Sequence, residues 1–248
     1  MIIIKSEQEI NIMRESGKVT GLILRELENF IKPGISTMDV NEFVEQTILK
    51  HHMIPTFKGY CGYPAAACVS VNEEVVHGIP SKKRILKEGD IVSVDVGCTH
   101  KGYVSDAART YAVGEISDEA ARLIRVTRES FFEGLKFCKV GYRLSDISHA
   151  IQTKAEGEGF SVIRDFVGHG VGKQMHEEPQ IPNYGKPGRG PRLAKGMVLA
   201  IEPMINQGDY EVEVQLDNWT VVTLDGMLSA HYENTVVITD GEPELLTL

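Results

Sequence analysis

Four carboxylates stand in stretches of the chain where a negative charge is costly. Asp95 lies in Ile91-Val92-Ser93-Val94-Asp95-Val96, Asp106 precedes Ala107-Ala108, Glu202 follows Leu199-Ala200-Ile201, and Glu233 sits in Tyr232-Glu233-Asn234. These runs read as buried strands, and a lone acid there costs several kcal/mol unless a base or a cation meets it. One resolution is a nearby base, such as Arg109 for Asp106. The other is divalent metal, because clustered carboxylates repel and raise one another's pKa until positive charge comes between them. Four acids suit two ions better than one.

His169 favours the second resolution. It stands in Gly168-His169-Gly170-Val171-Gly172, where glycines let neighbouring backbone approach closely and free the imidazole to point into a cleft. Four carboxylates and one imidazole form an oxygen-rich set, which favours Mn²⁺, Fe²⁺ or Co²⁺ over a thiolate-held structural zinc. The four cysteines, Cys61, Cys68, Cys98 and Cys138, lack C-x-x-C spacing and read as reduced thiols.

Periodicity supplies the elements that must position these residues. Ser6-Glu7-Gln8-Glu9 is a capping box ahead of a helix carrying Ile10, Met13, Ile23-Leu24 and Leu27, which must end before Lys32-Pro33-Gly34. Ser36-Thr37-Met38-Asp39 caps a second helix, ending near His51-His52, and strands follow from about 67 to 113. The same order then recurs. Helices are predicted from Ser117 to about Phe137 and from Ser145 to about Glu156, with strands at 162–168, 196–205, 210–216, 219–223 and 230–238. Lys32 and Lys139, Gly34 and Gly141, Asp39 and Asp146, Gly89 and Gly196, and Asp95 and Glu202 are each 107 positions apart. Asp106 and Glu233 are 127 apart, which places a 20-residue insertion around Tyr210–Leu228. The pattern predicts an α+β fold built from two copies of a helix-helix-sheet unit, with a mainly antiparallel sheet and outer helices. No linker divides the halves, about 1–114 and 115–248, so 1–248 reads as one domain.

Composition narrows the function. Among 248 residues, 42% are hydrophobic and 25% charged, an ordinary globular balance. A net charge of −9 argues against broad or specific DNA binding, and no apolar run is long enough for a membrane anchor.

Together, Asp95 and Asp106 with ten residues between them, Gly168-His169-Gly170-Val171-Gly172, Glu202-Pro203 and Glu233 resemble the five-ligand signature of the methionine aminopeptidases and their "pita-bread" relatives. The resemblance spans essentially the whole chain. Proline-directed relatives carry a large N-terminal domain and a second histidine where this chain has Asp165. Type II methionine enzymes carry a helical insertion, and eukaryotic type I enzymes a zinc-binding extension. The chain therefore resembles the compact bacterial type I enzymes.

The resemblance implies a curved pita-bread sheet and two divalent ions, with Asp106 and Glu233 bridging, Asp95 completing one ion, and His169 with Glu202 completing the other. It further implies removal of initiator methionine from nascent polypeptide N-termini when the second residue is small. Glu202 would shuttle a proton, His176 would face the scissile carbonyl, and His77 would contact the substrate. Tyr60, Tyr63, Cys68, Met175 and Trp219 match positions lining the methionine pocket, with Phe57 beside them. Cys61 and Met175 depart from some members, which have histidine and an aromatic residue there. On this reading the protein works in the cytoplasm as a monomer, and Lys82-Lys83-Arg84 and the basic stretch 186–192 are candidate ribosome contacts. His51, His52, His100, His149 and His231 have no such context and read as structural or surface residues.

Overall fold

The computed structural model describes residues 1–248. The first half runs through helices α1 (Glu7–Phe30) and α2 (Thr37–Lys50), then strands β1 (Ile54–Pro55), β2 (Ala67–Val71), β3 (Glu74–Val76), β4 (Ile91–His100) and β5 (Tyr103–Ala112). The second half opens with α3 (Asp118–Leu135), α4 (Leu144–Gly157), β6 (Ser161–Val162), β7 (Gly168–Gly170) and β8 (Glu177–Ile181). It continues with β9 (Val198–Ile201), β10 (Met204–Asn206), β11 (Val212–Val214), β12 (Val221–Thr223), β13 (Ser229–His231), β14 (Asn234–Val237) and β15 (Glu244–Leu245).

The predicted caps form. The Ser6 side chain accepts from the Glu9 N–H while Glu9 accepts from the Ser6 N–H, and Ser36 and Asp39 do the same for α2. At the start of α4 the arrangement differs. The Arg143 N–H donates to Asp146, while the Ser145 hydroxyl is held by the backbone of Arg189, so the helix begins one residue earlier than Ser145 suggests.

The duplication is carried by the core as well as by the outline. Helices α2 and α4 each have 14 residues and are offset by 107 at both ends (37 to 144, 50 to 157). β1 and β6 keep the same step (54 to 161), as do the starts of β4 and β9 (91 to 198). Val40, Val44 and Ile48 share one buried core with Val92 and Val94, and the counterparts Ile147, Ile151, Leu199 and Ile201 are also fully buried. Each such aliphatic side chain contributes roughly 1.5–3 kcal/mol by leaving water. Gly34 and Gly141, at φ +94° and +102°, share the left-handed conformation that L side chains disfavour.

All strand pairs are antiparallel, but they form four ladders rather than one continuous sheet. Their orders are β1-β4-β2 with β5 on β4, β13-β10-β6, β11-β12-β3, and β15-β14-β9-β7-β8. Helices α1 and α2 lie against β2, β4 and β5, and α3 and α4 against strands of the second half. The hairpin β11–β12 falls inside the segment expected as an insertion. The predicted strand 196–205 is two strands interrupted at Glu202-Pro203, because proline has no N–H to continue a ladder. The predicted strand 230–238 is likewise split at Tyr232-Glu233, where the Glu233 N–H leaves its own half and donates to Ala108 O. That bond, with Thr235 Oγ1 accepting from Asp106 N–H and donating to Asp106 O, ties the two halves at the acids.

Candidate metal centre and its pocket

The five expected ligands and the expected pocket residues line one cavity of about 290 Å³. β4 brings Asp95 and β5 brings Asp106, paired so that Asp95 opposes Ala108 and Gly97 opposes Asp106. β7 brings His169, whose neighbour across the ladder is Ala200, two residues before Glu202. Asp106, His169 and Glu233 each offer an atom within 4.8 Å of the others'. His169 Nε2 is 3.6 Å from Asp106 Oδ2 and 3.5 Å from Glu202 Oε1.

Glycine makes this approach possible. A Cβ on Gly168 would lie 2.5 Å from Ala200 O, and one on Gly170 would lie 2.3 Å from Glu178 O. Both glycines therefore permit close strand contact rather than an unusual turn. His169 Nδ1 is 2.9 Å from Gly170 O, so the ring hydrogen sits on Nδ1 and Nε2 presents a lone pair to the acids.

Electrostatics mark the cluster as incomplete without a cation. Burial pushes Asp106 up to about 7, and it holds Asp95, Glu202 and Glu233 well above the usual carboxylate range, with the neighbouring acids adding to the shift. The expected alternative partner does not serve them. Arg109 turns its guanidinium to Ala108 O, Glu233 O and Asn234 Oδ1, at 2.8, 2.5 and 2.7 Å, and stacks over Tyr232. Asp95 Oδ1, Asp106 Oδ1 and Glu233 Oε1 are buried with no hydrogen-bond partner. Orphaned oxygens converging with one imidazole lone pair fit a divalent metal of the oxygen-loving kind.

The rest of the cavity is apolar and aromatic. Cys68 is the cross-strand neighbour of Asp95, and burial followed by that carboxylate raises its thiol pKa well above normal. Trp219 meets Tyr63 edge-on at 5.0 Å between centroids, and Tyr63 donates to Gly78 O at 2.8 Å. His77 follows β3 at φ +61°, a left-handed conformation uncommon outside glycine, and its ring faces Phe166 and Trp219. His176 stands at the rim with Nδ1 2.8 Å from the Tyr60 hydroxyl and its ring 4.4 Å from that of His169. Burial lowers both His77 and His176 to about 4, so both are neutral near pH 7.

Two features were not read from the sequence. Lys5 and Glu177 form a buried ion pair of 2.6 Å, which fixes the residue next to His176. His231, read above as structural or surface, is 2% exposed and places Nε2 3.8 Å from Glu202 Oε2 and 3.9 Å from Glu233 Oε2. The available signal was period-two spacing, since His231 stands two residues before Glu233.

Comparison with known proteins agrees with this architecture. The model of a family described as metallopeptidase family M24 matches residues 11–240. The chain is 59% identical over 248 residues to a methionine aminopeptidase of Clostridium acetobutylicum, covering 100% of this chain and 99% of the relative. A crystal structure of methionine aminopeptidase from Thermotoga maritima superposes with a TM-score of 0.98 at 53% identity, covering 100% of this chain and 99% of the other. The prolidase of Pyrococcus furiosus shares the fold, with a TM-score of 0.79 at 22% identity over 99% of this chain and 65% of the prolidase.

Proposed function

The chain belongs to metallopeptidase family M24, and from that premise we propose that it hydrolyses the first peptide bond of polypeptides beginning with methionine. The observation that carries this reading is the single cavity in which orphaned carboxylate oxygens meet an apolar, aromatic pocket. Asp95, Asp106, His169, Glu202 and Glu233 would hold two divalent ions of Mn, Fe or Co. Such ions, when bound, act as Lewis acids and bring the pKa of water down toward neutrality.

The chain's own groups do the rest. Tyr63, Cys68, Met175 and Trp219, with Phe57 and Tyr60, surround the methionine side chain, and aromatic rings suit its polarisable thioether. The acids at the cavity floor confine the free α-amine, which restricts cleavage to the N-terminus. Glu202 takes a proton from the attacking water and passes it toward the departing amine. In this role His176 carries its hydrogen on Nε2 and donates to the carbonyl oxygen as negative charge develops there, which requires the Tyr60 hydroxyl, 2.8 Å from Nδ1, to be the donor of that pair. One such donor is worth about 3–4 kcal/mol. His77 positions the leaving amide.

The same reading has the enzyme act in the cytoplasm, as a monomer, on nascent chains whose second residue is small. The exposed basic segments 82–84 and 186–192 would face the ribosome. Metal-depleted protein reloaded with Mn²⁺, Fe²⁺ or Co²⁺ singly should release methionine from Met-Ala-Ser. Uptake of metal without release under any of the three would refute the reading.

A further inference from the structure

His231 has no part in the chemistry above, yet its side chain is 2% exposed and its Nε2 has no hydrogen-bond partner. Leaving such a nitrogen buried and unpaired is costly, so an apolar residue would serve the core better unless Nε2 is used. The backbone at this position is clamped on both sides. The His231 N–H donates to Thr110 Oγ1 and its carbonyl accepts from the same hydroxyl, each at 2.9 Å. The ring thus points at Glu202 and Glu233 from a fixed base, at 3.8 and 3.9 Å.

Glu202 stands between two imidazoles that present opposite faces of histidine chemistry. Its Oε1 faces His169, whose Nδ1 hydrogen is committed to Gly170 O, leaving a lone pair on Nε2. Its Oε2 faces His231, and ionised carboxylates only accept hydrogen bonds, so the matching tautomer of His231 carries its hydrogen on Nε2. His231 does not line the cavity where a cation would sit, but lies behind two residues that do.

We propose that His231 is a positioning residue for Glu202, donating from Nε2 to Oε2 and thereby directing Oε1 to the place it shares with His169. The inference rests on the metallo-aminopeptidase reading. A histidine here orients a ligand rather than serving as one.

The test compares wild type, His231→Gln and His231→Leu, each loaded with Co²⁺. Calorimetric titration gives metal affinity, visible absorption reports the ligand field, and Met-Ala-Ser hydrolysis gives kcat and KM. Loss of a group that orients a metal ligand typically costs about 10–100-fold in affinity or activity, and that is expected of His231→Leu, with KM little changed. His231→Gln, whose amide N–H reaches nearly the same point, should recover most of the loss with unchanged absorption bands. Should the leucine variant fail to fold, His231→Asn, whose shorter amide stops short of Oε2, takes its place in the comparison. Wild-type affinity and kcat in the leucine or asparagine variant would overturn the proposal. So would altered bands and a lost equivalent of metal in both variants, which would make His231 a direct ligand. A wild type that binds Co²⁺ but releases no methionine would refute the functional reading, while the affinities would still decide the role of His231.

Discussion

Two sets of buried charge lie side by side in this protein and are settled in opposite ways. Lys5 and Glu177, with side chains 3% and 4% exposed, hold each other at 2.6 Å, and each makes a further bond, to Ile3 O and from the Gln174 N–H. Asp106 and Glu233 are as deeply placed, and Asp95 and Glu202 lie beside them in the cavity. No lysine or arginine pairs with their carboxylates, which have only neutral imidazoles near them. The nearest guanidinium, Arg109, is spent on backbone carbonyls and Asn234. A charge balanced within the chain supports the fold, whereas a cluster left unbalanced is prepared for a cation from outside. Strand β8 carries Glu177, next to His176, and pairs with β7, which carries His169.

If that distinction holds, the two sets must respond oppositely to loss of a charge. Asp106→Ala should abolish both metal uptake and methionine release, measured by elemental analysis and the tripeptide assay. The metal-free variant should nonetheless be at least as stable as metal-free wild type in urea, because one repelling carboxyl has gone. Lys5→Met should instead destabilise by about 3–5 kcal/mol, since Glu177 is left buried and unpaired. Lys5→Met with Glu177→Leu should recover most of that loss, as replacing both members of a buried pair is often near neutral. A metal-free Asp106→Ala protein that is as unstable as Lys5→Met would erase the distinction.

The sequence made one side of this contrast legible and hid the other. The acids stood out because each interrupts an apolar run, and the repeat at 107 residues said which should meet. The same repeat held through α2 and α4 and through corresponding core residues such as Val44 and Ile151, one in the core of each half. The Lys5–Glu177 pair gave no such sign, since a lysine and a glutamate 172 positions apart in polar stretches look like surface residues. Strand β8 was missed for a related reason. Glu177-Glu178-Pro179-Gln180-Ile181 has the polarity and the proline of an edge strand, which it is. The splitting of two strands at Glu202-Pro203 and Tyr232-Glu233 depends on cross-half pairing, which no local pattern records.

His176→Ala tests whether the rim histidine belongs with the acids or with the fold. Removing one donor to developing negative charge typically costs about 10²–10³ in kcat, and metal content should be unchanged. Loss of metal in this variant would move His176 into the ligand set and enlarge the unbalanced cluster.

Acidity separates the two kinds of site more gently. Burial raises the folded-state pKa of the clustered acids, Asp106 to about 7, so on these groups the metal-free folded protein keeps protons that the unfolded chain has lost. Burial also lowers His77, His169 and His176 to about 4 and His231 to about 3, so below about pH 6.5 the unfolded chain holds the extra protons on the histidines. The two sets oppose each other below about pH 6.5, so the acids' share is read as a difference. Removing one of them, as in Asp106→Ala, should make metal-free stability rise less, or fall more, on acidification than in wild type, by up to about 1.4 kcal/mol per pH unit. Glu244, held below its ordinary value by Arg14, works in the other direction and loses its contribution as pH falls below about 4. Metal-loaded protein should lose stability on acidification near neutrality, because protons then compete with the cations. Urea midpoints at pH 5.5 and 7.5 for metal-free wild type and Asp106→Ala, and for wild type with Mn²⁺, read that difference. An Asp106→Ala protein with the same pH dependence as wild type would show that this acid is already compensated.

The smallest effect lies at the cavity mouth. Tyr60→Phe removes the hydroxyl beside His176 Nδ1 but leaves the ring that covers the pocket. A single hydrogen bond of this kind is worth about 0.5–1.5 kcal/mol, so kcat should fall by no more than about tenfold, with KM nearly constant. The hydroxyl acts only by choosing which nitrogen of His176 bears the hydrogen, and a neutral imidazole can reach the same tautomer without it. A fall as large as that of His176→Ala would mean that Tyr60 itself touches the reacting carbonyl, and the rim would then hold two donors where the geometry supports one.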